Sequence, residues 1–353
     1  GLAPARHLLA HEQAEAFGEV GAGLQLGPNA VRLLADWGLR DALDAVAAWP
    51  ESLEVRDARL GQALGRLRLG DAFAQRHRAP YACLHRADLH ALLLRAAQRD
   101  GLDLRLGCRL ESIEAGPDRV QVGWSGGGGV DAAALIGCDG LWSRVRAQVA
   151  DPAPPRATGH VAYRGLIPAD ALPASLRLHR VGVWLGARLH VVHYPVRRGE
   201  AFNLVAVVHA GADGPRDARS WSEPATRAAL GRALGPVHGD LAPWLDAVPA
   251  WTRWVLHDRP PLQGPQQMAR GRLALLGDAA HPMRPYLAQG AARSIEDAWA
   301  RGRLAAQHLA PGGAGWPAAL SRYAEVRWAR NARVQRRSRR NGTVFHASGP
   351  LRW

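Results

Sequence analysis

Arg272-Leu-Ala-Leu-Leu-Gly-Asp-Ala-Ala-His-Pro-Met-Arg-Pro-Tyr-Leu-Ala-Gln-Gly-Ala291, with Ser294-Ile-Glu-Asp-Ala298 just beyond it, is the stretch that sets the fold class. Its apolar run reads as a buried strand ending at Gly277, where the missing side chain lets backbone and ligand approach closely. Asp278 then offers a carboxylate to sugar-like hydroxyls. Pro285 stiffens the following turn, and Gly290 opens a helix whose free N–H groups and dipole stabilise negative charge. Two other segments share the pattern of apolar run, Gly or Asp punctuation and helix-like stretch: Leu8 to Ala30 and Ala132 to Val149. In such units the ligand lies at the carboxyl ends of parallel strands, so the chain reads as α/β.

Further motifs follow the same logic. Ala134-Leu-Ile-Gly-Cys-Asp-Gly-Leu-Trp-Ser-Arg-Val-Arg146 is a strand, an Asp139-Gly140 turn and a helix from near Ser143. Taken alone, that dipeptide is equally an ordinary loop turn. His85-Arg-Ala-Asp-Leu-His-Ala-Leu-Leu-Leu94 opens a helix with Asp88 as its N-cap, Leu89, Leu92 and Leu93 on the buried face, and Arg86 just before it. Arg6 to Glu12 reads as a strand, and an acid at such a strand end is placed to take an adenosine ribose, which makes Glu12 the candidate.

Between these units, Leu53 to Leu69 and Val181 to His209 alternate as antiparallel strands, and Gly126 to Gly129 reads as a hairpin turn. A nucleotide-binding lobe assembled from 1–50, 81–156 and 264–353 is therefore expected around a sheet-rich substrate lobe built from 51–80 and 157–263. Within Arg188-Leu-His-Val-Val-His-Tyr-Pro-Val-Arg197, alternation puts His190, Val192 and Tyr194 on one face and His193 on the other. His190 and Tyr194 are then roughly 13 Å apart, too far to grip one atom but suited to bracketing an aromatic ring.

Composition narrows the function classes. Hydrophobic residues at 47% and charged residues at 22% are globular proportions. The net charge of +14 rests wholly on Arg, since the chain has no Lys, and the bias resembles GC-rich coding more than a patch built for phosphates. Arg327, Arg330, Arg333, Arg336, Arg337, Arg339 and Arg340 read as the wet face of a terminal helix, so neither nucleic acid nor a membrane is expected as partner. Three scattered cysteines form no metal or redox pair, and no apolar run is long enough to span a bilayer or resembles a secretory signal. A cytoplasmic monomer or homodimer is the expectation.

The Arg272–Ala291 string resembles the second flavin-contacting motif of the group A flavoprotein monooxygenases, among them the salicylate, 3-hydroxybenzoate and 6-hydroxynicotinate hydroxylating enzymes. The resemblance implies a p-hydroxybenzoate-hydroxylase-like fold: a Rossmann-like FAD lobe with an inserted, mainly antiparallel substrate lobe. It implies that Gly277 and Asp278 bind the ribityl chain, that Pro285 and Gly290 lie against the isoalloxazine ring, and that Asp139 and Gly140 serve flavin and nicotinamide. Arg86 would reach the flavin, and His190 and Tyr194 would face the substrate, with Gln289 completing the pocket. A His there suits a phenol, which reacts faster with an electrophilic flavin hydroperoxide once a base shares its proton. The implied reaction consumes NADH or NADPH and O2 and hydroxylates a phenolic or hydroxy-heteroaromatic carboxylate.

Phe17 to Ala30 resembles the family's loop beside the flavin. The first strand and the G-x-G-x-x-G turn that precede it in the family have no counterpart beyond Gly1-Leu2-Ala3, and the chain starts without Met, so truncation at both ends is expected. Arg284 and Arg293 stand where apolar residues are expected. The alternative reading is a degraded, non-catalytic relative with impaired FAD binding.

Overall fold

Leu273–Leu275 is buried at every position and pairs in parallel with Leu135–Gly137, as a strand covered on both faces must. The computed structural model describes residues 8–18, 22–209 and 222–347; the Gly1-Leu2-Ala3 string and the start of the Arg6 strand lie outside them. After Gly137 the chain turns into the Val145–Val149 helix, and a Cβ on Gly137 would stand 2.6 Å from the Val145 side chain. Glycine here is what lets helix and strand touch. After Leu275 it turns into the longer Gly290–His308 helix. Both turns leave the same end of adjacent parallel strands, and the Leu276 N–H donates to the Gly137 carbonyl at 3.0 Å.

The third expected unit is built differently. Leu9–His11 pairs in parallel with Asp103–Arg105. Before its helix, Pro28–Asp36, comes an extra strand, Gly23–Leu26, antiparallel to Ala82–His85. Leu8 to Ala30 is thus not one strand–turn–helix unit. Gly23 explains the extra strand: its N–H donates to Asn203 Oδ1 at 2.7 Å, and a Cβ there would clash with Asn203 and Tyr194. The ribbon therefore lies directly on the large sheet.

That sheet has eight strands in the order Glu223–Ala225, Trp251–Asp258, Arg156–Pro168, Ala201–His209, Leu189–Val196, Arg180–Gly186, Ser52–Asp57 and Ala63–Arg68. Every pairing is antiparallel except Ser52–Asp57 with Arg180–Gly186, where the early hairpin joins. One face packs Leu189, Val191, Phe202 and Leu204 against Trp244. The other carries Val183 and Tyr194, and further along Ala162 and Val207 beneath Tyr286. Gly126, Gly127 and Gly128, all at positive φ, make the expected hairpin turn between Val120–Trp124 and Gly129–Ala132.

Gly290–His308 packs along Gly315–Phe345, and a buried polar cluster joins them. Asp297 is 0% exposed; His281 Nε2 meets its Oδ2, while Arg327 Nε and Asn331 Nδ2 donate to Oδ1 at 2.7 and 3.0 Å. Next to it, Arg293, Arg327 and Arg330 converge on Glu296. The wet-face reading of the terminal helix is thereby corrected: Arg327 is buried, and Arg339 reaches inward to Asp258 at 2.8 Å, because each answers a carboxylate the fold has withdrawn from water. The same rule accommodates Arg284 on Asp258 and Arg293 on Glu296. Among the described residues no helix is long and apolar enough to cross a membrane.

Burial alone would raise the Asp297 carboxyl, but His281, Arg327 and Asn331 pull it down from 3.8 to about 2. A depressed acid contributes stability above its unfolded pKa and loses it as pH falls through the folded one. Asp297→Asn is expected to lower unfolding free energy by about 3–5 kcal/mol at neutral pH, since it strands buried Arg327. Urea melts between pH 4 and 2 should fall less steeply for the variant than for the parent chain.

Candidate flavin and substrate site

Gly277 holds φ at +62°, and its carbonyl accepts from the N–H groups of Ala280 and His281 at 3.0 and 2.9 Å. This tight turn throws the Asp278 side chain outward. Its residue is exposed, yet protein packs closely round the carboxyl. That packing pushes its pKa up, against the pull of His281 and Arg86. Arg146, buried, ties the floor of the turn by donating Nη1 to the carbonyls of Ala279 and Ala280 at 2.8 and 2.9 Å.

Arg86 faces the same space. Besides acting on Asp278, its charge lowers the pKa of Arg164, although burial does so more strongly. The Arg86 N–H donates to the Ala22 carbonyl at 2.8 Å, joining it to the Gly23–Leu26 ribbon. Two local expectations change here. Arg86 is the first residue of the Arg86–Arg99 helix, and His85, not Asp88, is the N-cap residue. Asp88 falls in the first turn, where Arg197 Nε donates to it at 3.3 Å. Leu89 and Leu92 are buried as expected, with Leu93 packed beside them.

Asp139 serves its own turn: Ser143 Oγ donates to Oδ1 at 2.6 Å, and the N–H groups of Arg144 and Val145 donate to Oδ2 at 2.7 and 3.1 Å. Gly140 follows at φ +73° with open space where a Cβ would stand. Glu12 follows directly on the Leu9–His11 strand, its N–H donating to the Arg105 carbonyl and its Oε1 accepting from the Ala14 N–H, each at 2.9 Å. Past Asp278, Pro285–Leu287 forms a short turn, Ala288 takes φ +49°, and Gly290 starts the helix with nothing within 4 Å of its Cβ direction. Gln289 accepts at Oε1 from Asn29 and Arg293, both at 3.4 Å.

On the sheet, His190 and Tyr194 share a face and His193 points away, stacked on Trp244 at 3.7 Å. Neither of the first two stands in open space: they are 2% and 4% exposed. Gln25 and the Gly23 backbone cover Tyr194, and Tyr286, Phe345 and His346 cover His190. His190 Nδ1 and His346 Nε2 share a hydrogen bond at 2.7 Å. Burial, then His346 and His160, lower the His190 pKa and keep the ring neutral.

Sequence reasoning passed over Tyr286. Its ring lies 5.2 Å from that of His190, edge-on, and Gly342 leaves it room on the helix. Its hydroxyl is buried without a hydrogen-bond partner among the described residues, and burial pushes its pKa to about 12, so it remains a donor. A partner contributed from the distant Gly342 region left no local signal.

Parallel strand pairs with carboxylate-bearing turns at their C-terminal ends, beside a broad mixed sheet that carries imidazole and phenol groups, are the arrangement of a nucleotide-cofactor-binding α/β protein. The chain belongs to the FAD binding domain family, matched over residues 7–338. It is 36% identical over 340 residues to 3-hydroxybenzoate 6-hydroxylase 1 of Aquipseudomonas alcaligenes, covering 96% of this chain and 83% of that protein. It is 34% identical over 333 residues to 6-hydroxynicotinate 3-monooxygenase of Bordetella bronchiseptica, covering 94% and 84%. The crystal structure of Klebsiella pneumoniae HpxO complexed with FAD and uric acid matches with a TM-score of 0.81 at 25% identity, covering 96% and 82%. The cofactor of this family is FAD, and the residues present fit it: an exposed carboxylate at Asp278, open space beside Gly140, and an unobstructed helix start at Gly290.

Asp278→Ala is expected to weaken FAD binding roughly ten- to hundredfold, the loss of an ionised acceptor being worth about 1.5–3 kcal/mol. Titration of flavin fluorescence against the apoprotein reads this directly.

Proposed function

We propose that the chain is an FAD-dependent, NAD(P)H-consuming monooxygenase that hydroxylates a phenolic or hydroxy-heteroaromatic carboxylate with O2. The observation that carries the reading is continuity. One turn, Gly277 to Gly290, begins with the open carboxylate of Asp278 and reaches the imidazole of His190 through Tyr286.

In this reading Asp278, Gly277, Arg86 and Glu12 hold the ribityl and adenosine parts of FAD, and Asp139 and Gly140 serve both flavin and nicotinamide. Pro285 and Gly290 flank the ring system, where the helix start stabilises negative charge. FAD, when bound, supplies reduction by nicotinamide and activation of O2. The chain's own residues position the substrate. His190 Nε2, the ring nitrogen not engaged by His346, takes the substrate hydroxyl's proton; Tyr194 and Gln289 bracket the ring and its carboxylate. The same reading assigns 1–50, 81–156 and 264–353 to the FAD lobe and 51–80 with 157–263 to the substrate lobe.

After reconstitution with FAD, NADH or NADPH oxidation should accelerate when a hydroxybenzoate or hydroxynicotinate is added, and mass spectrometry should find the acid heavier by one oxygen. Absence of any stimulation across such acids would refute the reading. His190→Ala is expected to cut hydroxylation about 10²–10⁴-fold while FAD binding persists.

A further inference from the structure

Beside the proposed substrate face, three histidines from separate elements converge. His160 and His209 are direct cross-strand partners in Arg156–Pro168 and Ala201–His209, and His346 follows the Gly315–Phe345 helix. One ring nitrogen from each lies within 4.8 Å of the others. The rings are 4.5 Å apart for His160 and His209, 4.9 Å for His160 and His346, and 5.3 Å for His209 and His346.

Their hydrogen bonds decide which atoms remain for a ligand. His160 Nδ1 contacts Thr158 Oγ1 at 3.3 Å, which leaves Nε2. His346 Nε2 is engaged by His190, which leaves Nδ1, an atom buried without a partner among the described residues, on a residue only 7% exposed. A buried, unsatisfied imidazole nitrogen on a ring beside two other imidazoles suits an electrophile. His209 is half-buried, so solvent reaches the centre of the three.

We infer that His160, His209 and His346 form a binding site for a zinc-class divalent ion, with a fourth position open to water. Three imidazoles suit zinc and its first-row neighbours, and metal–nitrogen bonds of about 2.0–2.1 Å require only that the rings draw closer by side-chain rotation. The ion would clip the end of the long helix to the two middle strands of the large sheet. His346 Nε2–H would then donate to His190 Nδ1, the kind of outer bond that orients a metal-bound imidazole; the neutral His190 ring would then carry its hydrogen on Nε2, so the bound ion would hold back its proton-accepting role.

The test uses the untagged chain stripped of metal with a chelator, and Co2+ as the optical probe. One saturable Co2+ per chain, with a visible absorption band displaced by Zn2+, is expected. The band should vanish in His160→Gln, His209→Gln and His346→Gln and survive in His77→Gln, an exposed control. His190→Ala should weaken Co2+ roughly ten- to hundredfold. Zn2+ should raise the Tm of the parent chain and leave that of His209→Gln unchanged; because His209 is partly exposed, this variant keeps the test valid if His346→Gln fails to fold. A parent chain with no saturable Co2+ band, or a band that persists in His209→Gln, overturns the site.

Discussion

The withdrawal of one carboxylate, Asp297, from water governs the architecture around the proposed cofactor crevice. A buried carboxylate is tolerable only if its charge and lone pairs are answered, and His281, Arg327 and Asn331 supply the answer from the crevice turn and the terminal helix. His281 lies three residues after Asp278, so the group that satisfies Asp297 also fixes the backbone that presents Asp278. Stability and cofactor geometry are coupled through a single imidazole.

Much of this was legible in the sequence because it is local. The Gly277-Asp278 turn, the strand before it and the helix from Gly290 are written in consecutive residues, and alternation alone placed His190 and Tyr194 on one face. Partners far along the chain were not legible. Nothing near Arg327 reveals Asp297, and nothing near Tyr194 reveals Gly23. Asp88 has the chemistry of a cap but lies inside the first turn, where Arg197 holds it. Local preference for a cap gives way when the strand Ala82–His85 runs straight into the helix.

The arginine content shows the same limit. A chain at +14 without lysine invites a surface reading, yet Arg146, Arg293 and Arg327 are all buried. Guanidinium suits such places because its planar fork satisfies several acceptors at once, as Arg146 does across two successive carbonyls. Coding bias fills a surface with arginine, but carboxylates and carbonyls withdrawn from water draw it inside.

His190 and His193 show how one strand assigns two fates to one residue type. His193 faces the apolar side and is fixed by stacking on Trp244, where burial, with Arg180 and Arg56, lowers its pKa to about 3. His190, three residues earlier, is neutral too, but its neighbours are Tyr286, Phe345 and His346. Stacking on an indole fixes the His193 ring and leaves its Nδ1 buried without a partner among the described residues. The His190 ring instead hydrogen-bonds to another imidazole beside a phenol. Position on the pleat, more than residue identity, therefore separates a histidine packed on an indole from one joined to polar partners.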